Sequence, residues 1–103
     1  MNTTSKTAIE LVIFKAKPNY TTEEVLKTMQ SLNPILEQYN GFIKRSLALS
    51  EDGFWTDIIC WDSMKDAKQA AKDIMQNEAA LKAFSVIDEK QMQFYHFNLA
   101  AEF

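Results

Sequence analysis

The segment from Phe54 to Trp61 reads F-W-T-D-I-I-C-W and constrains the fold more than any other part of the chain. Its β-branched and aromatic residues are typical of a strand. A strand places alternate side chains on opposite faces of its sheet, and both alternating sets here are mainly apolar. Asp57 is the acidic exception in the middle of the run. We therefore predict a strand in a sheet that is covered on both faces.

The length of the chain limits what can provide this cover. Its 103 residues, 47% of them hydrophobic, are enough for one domain spanning 1–103 with one core. Such a domain can supply one layer of helices for one face of the sheet. We expect the other face to pack against a second copy of the chain, in a homodimer formed through the sheet face.

Composition narrows the partners and the compartment. The formal net charge is −3 and the 11 basic residues are dispersed, so we expect no nucleic acid partner, which would need a clustered basic face. The single cysteine, Cys60, cannot form an internal disulfide, which favours a reducing compartment. No segment approaches the roughly 18 consecutive apolar residues of a membrane span. We predict a cytoplasmic protein with no membrane partner.

The first half of the chain predicts a strand followed by an interrupted helix. The strand covers Thr7 to Lys17. Thr21 and Glu24 have the spacing of a capping box, which starts a helix running to about Tyr39. Pro34 lies inside this helical pattern, where it lacks a backbone donor and crowds the preceding turn. We expect a kink or a break there.

A hairpin follows, with strands at Phe42 to Ser50 and Phe54 to Trp61 joined by Glu51-Asp52-Gly53. A three-residue loop places Arg45 and Asp57 on one face, together with Ile43 and Trp55. A two-residue loop would separate them. The pattern does not decide between the two loops, nor which face meets the helices.

The second half predicts helix and strand again. Ser63 is a candidate N-cap for a helix to about Gln76, and a short helix follows over Glu78 to Ser85. The last strand is predicted from Lys90 to Leu99. The resulting order, β-α-β-β-α-β, defines the ferredoxin-like α+β class, in which a four-stranded antiparallel sheet has both helices on one face.

With this order in place, the sequence resembles the dimeric α+β barrel superfamily, in particular its antibiotic biosynthesis monooxygenase-like domains. The resemblance extends over nearly the whole chain. It rests on the element order and on four short features: Gly41-Phe42 with Arg45 at the second strand, Asp52-Gly53 at the hairpin, Trp61-x-Ser63 before the helix, and Asp66-Ala67 within it. The resemblance implies a dimeric barrel.

The superfamily includes cofactor-free oxygenases of polyketide quinone precursors, haem-degrading monooxygenases, polyketide cyclases and isomerases. The haem-degrading group uses an asparagine on the first strand, a tryptophan on the third and a histidine on the second helix. This chain offers only the tryptophan, at Trp55 or Trp61, so the resemblance disfavours haem degradation. We expect no cofactor and no metal, since no phosphate loop or metal-spaced ligand set is present either.

Six residues are candidates for a site. His96, the single histidine, could act as a general base, because imidazole titrates near neutral pH, or it could be a structural strand histidine. Arg45 and Asp57 could together orient a phenolate or carboxylate, or could form a structural ion pair. Trp55, Tyr95 and Asn98 could contact a substrate. Trp61 could stack on a planar ligand, but we expect core packing. Glu10 could line a pocket, but we expect an edge or interface position.

Two functions of different class remain open at this point. One is a cofactor-independent monooxygenase-like enzyme, or a binder, of a small aromatic or polyketide-like molecule. In it, His96 or the pair of Arg45 and Asp57 would stabilise an enolate or phenolate that reacts directly with oxygen. The other is a non-catalytic dimeric structural or ligand-sensing module. A cavity of about 300 Å³ or more reached by these side chains would favour the first, and a filled interior the second.

Overall fold

A computed structural model of the chain describes residues 6–103. In this part of the chain, four antiparallel strands form one sheet in the order β2-β3-β1-β4. The elements, in chain order, are β1 (Ala8–Phe14), α1 (Thr22–Gln30), α2 (Asn33–Leu36), β2 (Phe42–Leu49), β3 (Trp55–Trp61), α3 (Met64–Ile74), α4 (Glu78–Phe84), a 3₁₀ turn (Glu89–Gln91) and β4 (Gln93–Asn98). The ferredoxin-like α+β class is confirmed.

The predicted long helix is divided in two. The capping box is present, with the Thr21 hydroxyl accepting from the Glu24 amide and the Glu24 carboxylate accepting from the Thr21 amide. Helix α1 ends before Ser31, and Pro34 lies in the first turn of α2. Proline is tolerated at that position because a first-turn amide has no helical acceptor. The predicted break is confirmed, and it falls at Ser31, three residues before Pro34.

The hairpin between β2 and β3 has the three-residue loop. The amide of Ser50 donates to the carbonyl of Phe54 over 2.8 Å, and Gly53 adopts a φ of 90°. Arg45 therefore lies on the same face as Asp57. A bulge between Phe42 and Lys44 adds one residue to β2 near its start. The expectation that Ile43 shares the face of Arg45 is wrong for this reason, and Ile43 is exposed.

The first and last strands of the chain are shorter than predicted. Strand β1 ends at Phe14, and Ala16 forms only an isolated bridge with Ile87. Strand β4 begins at Gln93, because the Asp88 carboxylate accepts from the Lys90 amide and starts a 3₁₀ turn instead. Helix α4 lies where it was predicted.

Burial along β3 decides which face meets the helices. Trp55, Asp57, Ile59 and Trp61 are buried, whereas the residues between them are only half-buried. The helices therefore cover the face that carries Asp57. We call the opposite side the open face; it is formed by Ile9, Leu11, Ile13, Thr56, Ile58, Cys60, Tyr95 and Phe97 together with Lys44, Ser46, Ala48 and Gln93.

The open face is apolar in its centre and polar along its β2 edge. Leu11 pairs with Ile58 on one side and Tyr95 on the other. The Tyr95 and Phe97 rings stack with centroids 5.7 Å apart, and these side chains are 43% and 45% exposed. Of the helices in the part of the chain described, none combines the length and the apolar character needed to cross a membrane.

Candidate functional site

A cavity of about 270 Å³ lies between the covered face of the sheet and the helices. Side chains from β1, β3 and β4 form its floor, and residues of α1, α3 and α4 form its walls. Most of the lining is apolar, with three methionines and four aromatic rings: Met29, Met75, Met92, Phe14, Phe84, Phe94 and Trp61. Its charged lining residues are Glu10, Asp57 and Glu89. This combination of an apolar enclosure with few polar groups is typical of a small-molecule site.

Arg45 and Asp57 form a buried bidentate ion pair. Arg45 Nε donates to Asp57 Oδ1 over 2.8 Å, and Nη2 donates to Oδ2 over 2.7 Å. The side chains are 3% and 10% exposed. The parallel arrangement matches the planar guanidinium to the carboxylate and fixes both side chains.

The same guanidinium holds the helices to the sheet. Arg45 Nη1 donates to the Met29 carbonyl and to Asn33 Oδ1, each over 2.7 Å. The Met29 carbonyl lies in the last turn of α1, where it also accepts from the Leu32 amide over 3.1 Å and where the helix dipole favours a cation. Arg45 thus connects β2, β3 and the break between α1 and α2. It is not among the residues that line the cavity, whereas Asp57 is.

His96 and Glu10 form a second pair on the covered face. Neighbouring strands β4 and β1 place the two residues directly opposite each other. His96 Nε2 lies 3.1 Å from Glu10 Oε1, and the side chains are 17% and 10% exposed. The His96 ring also packs edge-on against Phe94, with centroids 5.0 Å apart. Glu10 lines the cavity and His96 stands behind it.

The environment of Glu10 changes its acidity. Burial raises the pKa of its carboxyl above the ordinary value, and the charge of Asp57 adds to this rise. The hydrogen bond and charge of His96 oppose it, as does Arg45 at longer range, without cancelling the effect of burial. A carboxyl with a raised pKa, in contact with an apolar cavity and bonded to an imidazole, is suited to proton transfer.

The remaining predicted site residues are dispersed. Trp55 is buried at the far end of β3, where its ring stacks on Phe14 with centroids 6.3 Å apart. Tyr95 lies on the open face, opposite to its neighbour His96. Asn98 is exposed at the end of β4 beside Ala8. None of these three is among the residues that line the cavity.

Two residues that line the cavity, Glu10 and Trp61, are not among the six predicted site residues. Glu10 was expected at an edge or interface, and this is wrong because β1 is a central strand and Glu10 faces the helices with 7% exposure. Glu10 lies two residues from both Ala8 and Val12, so it shares a strand face with these apolar residues. This spacing was the sequence signal for its position on the covered face. Trp61 is fully buried and lines the cavity, and its indole N–H is the buried side-chain donor without a partner in residues 6–103. No sequence pattern indicates such a donor.

Within the same residues, no cluster of three or more His, Cys, Asp or Glu side chains has the geometry of a metal site.

Sequence comparisons and structural comparisons give different answers. No protein-family model matches the sequence, and no curated protein matches it. Solved structures do match. A variant of SnoaB, a cofactor-independent oxygenase from Streptomyces nogalater, gives a TM-score of 0.78 at 11% identity, covering 95% of this chain and 97% of that one.

Two further structures illustrate the range of matches. A Bordetella bronchiseptica protein provisionally named antibiotic biosynthesis monooxygenase gives a TM-score of 0.77 at 12% identity, covering 92% of this chain and 98% of its own. A dimeric ferredoxin-like protein of unknown function from Thermobifida fusca gives 0.70 at 12% identity, with 92% of each chain covered. The chain therefore has the fold of the antibiotic biosynthesis monooxygenase-like α+β barrel proteins, and the predicted resemblance is confirmed at the level of fold.

Removing Arg45 should destabilise the protein strongly. Arg45→Met leaves the Asp57 carboxylate buried without a counterion, which should lower the free energy of unfolding by about 3–5 kcal/mol. Urea denaturation measures the change. Lys68→Met, at an exposed position of α3, is the control and should stay within about 0.5 kcal/mol of wild type. Equal small effects of both substitutions would contradict a structural role for the pair.

Replacing Glu10 should change how stability depends on pH. Because its folded pKa is raised above the ordinary 4.5, the carboxyl favours folding at lower pH, and this contribution is lost as pH rises through the folded value. Glu10→Gln removes the loss, so the free energy of unfolding of the variant should gain on that of wild type as pH rises above about 4.5. Exposed Glu37→Gln controls for removing a charge. A Glu10→Gln variant whose free energy of unfolding falls relative to wild type as pH rises would contradict the raised pKa of Glu10.

Proposed function

We propose that the cavity binds a small, flat and mainly apolar molecule, and that the protein acts on it as a cofactor-independent oxygenase. The observation that carries the proposal is the carboxyl of Glu10, which faces a mainly apolar cavity and is bonded to the single histidine of the chain. The similarity in fold to SnoaB, a cofactor-independent oxygenase, supports the reaction class.

The chemistry needs a group that removes a proton from the ligand. Glu10 is the acceptor in contact with the cavity, and His96 acts through it by taking or returning the proton at Nε2. The carbanion left on the ligand is electron-rich enough to react with dioxygen directly. In the net reaction a ring CH₂ becomes C=O, one oxygen atom of O₂ enters the product and the other leaves as water.

Other residues hold this arrangement in place. Arg45 is a positioning residue, since its hydrogen bonds go to Asp57, Met29 and Asn33. Arg45 fixes the Asp57 carboxylate on the floor of the cavity. Its bond to the Met29 carbonyl also holds α1, which forms one wall.

The homodimer is part of the same proposal. The apolar centre of the open face would be covered by the open face of a second copy, related by a two-fold axis. The rings of Tyr95 and Phe97 would contribute most of the contact area. A dimeric neighbour with the same fold supports this arrangement. A cytoplasmic location fits the unpaired Cys60 on this face.

The non-catalytic module that the sequence left open is not favoured. It required Arg45, Asp57 and His96 all to be paired in a filled interior. All three are paired, but a cavity of about 270 Å³ with Asp57 in its lining leaves the interior unfilled.

A ligand experiment tests the proposed function. Two-ring hydroxyaromatics such as 2-naphthol and 1,5-dihydroxynaphthalene should bind by calorimetry, and an air-oxidisable ring ketone of similar size should be consumed with uptake of oxygen. Ala71→Leu fills the cavity from α3 and should weaken binding at least tenfold, while Ala79→Leu, exposed on α4, is the matched control. Glu10→Gln should lower the rate of oxygen uptake by about 10²-fold, the contribution of one acid–base group.

Two results would contradict the proposal. One is equal binding to the Ala71→Leu and Ala79→Leu variants, which would place any ligand outside the cavity. The other is oxygen uptake that is unchanged in Glu10→Gln.

The dimer has its own test. Leu11→Lys places a charge in the centre of the open face and should convert the dimer to a monomer in sedimentation equilibrium. Leu26→Lys is the same substitution on the solvent side of α1, where Leu26 is 38% exposed, and should leave the dimer intact. Circular dichroism verifies that both variants are folded. A wild-type monomer, or a dimer that survives Leu11→Lys, would contradict the interface.

A further inference from the structure

The cavity opens to solvent along the last strand of the sheet. β4 is an edge strand next to β1, and Phe94 pairs with Val12 there. Phe94 lines the cavity and is 45% exposed, and Met92, two residues earlier, lines it and is 40% exposed. Met75, which follows α3, also lines the cavity and is 56% exposed. We call the side chains of Met75, Met92 and Phe94 the outer strip.

The outer strip leads away from the proposed base. His96 lies opposite Glu10, and Phe94 and Met92 precede it at steps of two residues, on the side of β4 that lines the cavity. Met92 has extended backbone, with a φ of −117° and a ψ of 137°. A strand rises about 3.3 Å per residue, so Met92 lies about 13 Å along β4 from the residue that pairs with Glu10. A two-ring molecule held at Glu10 covers only part of that length.

An apolar extension of the ligand is the occupant that fits the outer strip. Its side chains are continuous with the cavity lining, and two of them are flexible methionines, which adapt to the shape of an apolar group. Other occupants fit less well. A stable protein interface takes about 20–30 residues a side, far more than three side chains. A second copy packed on the open face would lie on the other side of the sheet, where Tyr95 is.

We propose that the ligand is an aromatic ring system that carries an unbranched apolar chain. The ring system lies in the enclosed part of the cavity beside Glu10, and the chain lies on the outer strip. Burial of the chain removes apolar surface of both ligand and protein from water, so binding strengthens with chain length. The inference rests on the proposed function, because it takes the ring system to be at Glu10. It adds a subsite that selects among ring compounds.

A series of probes with one ring system tests the inference. The probes are 2-naphthol and its 6-ethyl, 6-butyl and 6-hexyl derivatives, which carry the chain at the end of the ring system away from the hydroxyl. Calorimetry at neutral pH gives their dissociation constants. In wild type, each added CH₂ should tighten binding about twofold to fourfold, the range for partial to full burial of a methylene. The gain should end once the chain is longer than the outer strip.

Two serine variants locate the chain. Met92→Ser puts a hydroxyl at the far end of the outer strip, so the gain in affinity from the ethyl to the hexyl probe should fall at least about fourfold. Leu81→Ser is the matched control, since Leu81 is 41% exposed on α4 and is not among the residues that line the cavity. It should keep the wild-type gain. Circular dichroism verifies that both variants are folded, and both should sediment as wild type does.

The outcomes separate the inference from the proposed function. Binding of 2-naphthol with no gain from the chain overturns the inference and leaves the proposed function standing. A gain that is unchanged in Met92→Ser also overturns the inference, since the chain would lie elsewhere. The same holds if Met92→Ser alone changes the sedimentation of the protein, because a second copy would then cover the outer strip. If no probe binds, or if Ala71→Leu binds all of them as wild type does, both the inference and the cavity as a ligand site fail.

Discussion

Two carboxylates, Asp57 and Glu10, are buried between a sheet and its helices, and the rest of the structure depends on how their charge is compensated. A buried carboxylate is tolerated only with a counterion and hydrogen bonds. Asp57 obtains both from Arg45, which reaches across from β2 and also takes the Met29 carbonyl at the end of α1. Glu10 obtains a weaker compensation from His96, which lies on the same face of the sheet on the neighbouring strand β4. Arg45 binds both carboxylate oxygens of Asp57, so this pair serves the structure. His96 binds one carboxylate oxygen of Glu10, so the other oxygen is available for chemistry.

The cavity lies beside a closely packed part of the helix layer. Alanines at positions 67 and 70 let α3 approach the sheet closely, and Ala67 is fully buried. The lining is open to solvent at the end of α3 and on β4, where Met75 and Phe94 are 56% and 45% exposed. Flexible methionines at an opening can adapt to ligands of different shape. The enclosure therefore combines rigid polar groups at its floor with an adaptable entrance.

Much of the architecture could be predicted because it depends on local chemistry. The capping box at Thr21 and the glycine at Gly53 fix the helix start and the hairpin register through contacts within a few residues. The features that could not be predicted depend on distant residues. The bulge at Phe42 displaces Ile43, and only the assembled sheet order makes Glu10 central. Of the six predicted site residues, Asp57 lines the cavity, with Arg45 and His96 directly behind lining carboxylates; alternation along a strand gives no information on which face the helices will cover.

The most direct test of this account uses the fact that the chain contains one histidine. Nitrogen NMR of the labelled imidazole reports the state of His96 Nε2 without assignment of any other residue. The account predicts that its Nε2 resonance shifts in Glu10→Gln and shifts again when a ligand saturates the cavity, while Glu37→Gln leaves it unchanged. An imidazole signal that responds to neither the Glu10 substitution nor the ligand would contradict the claim that Glu10 couples the histidine to the cavity.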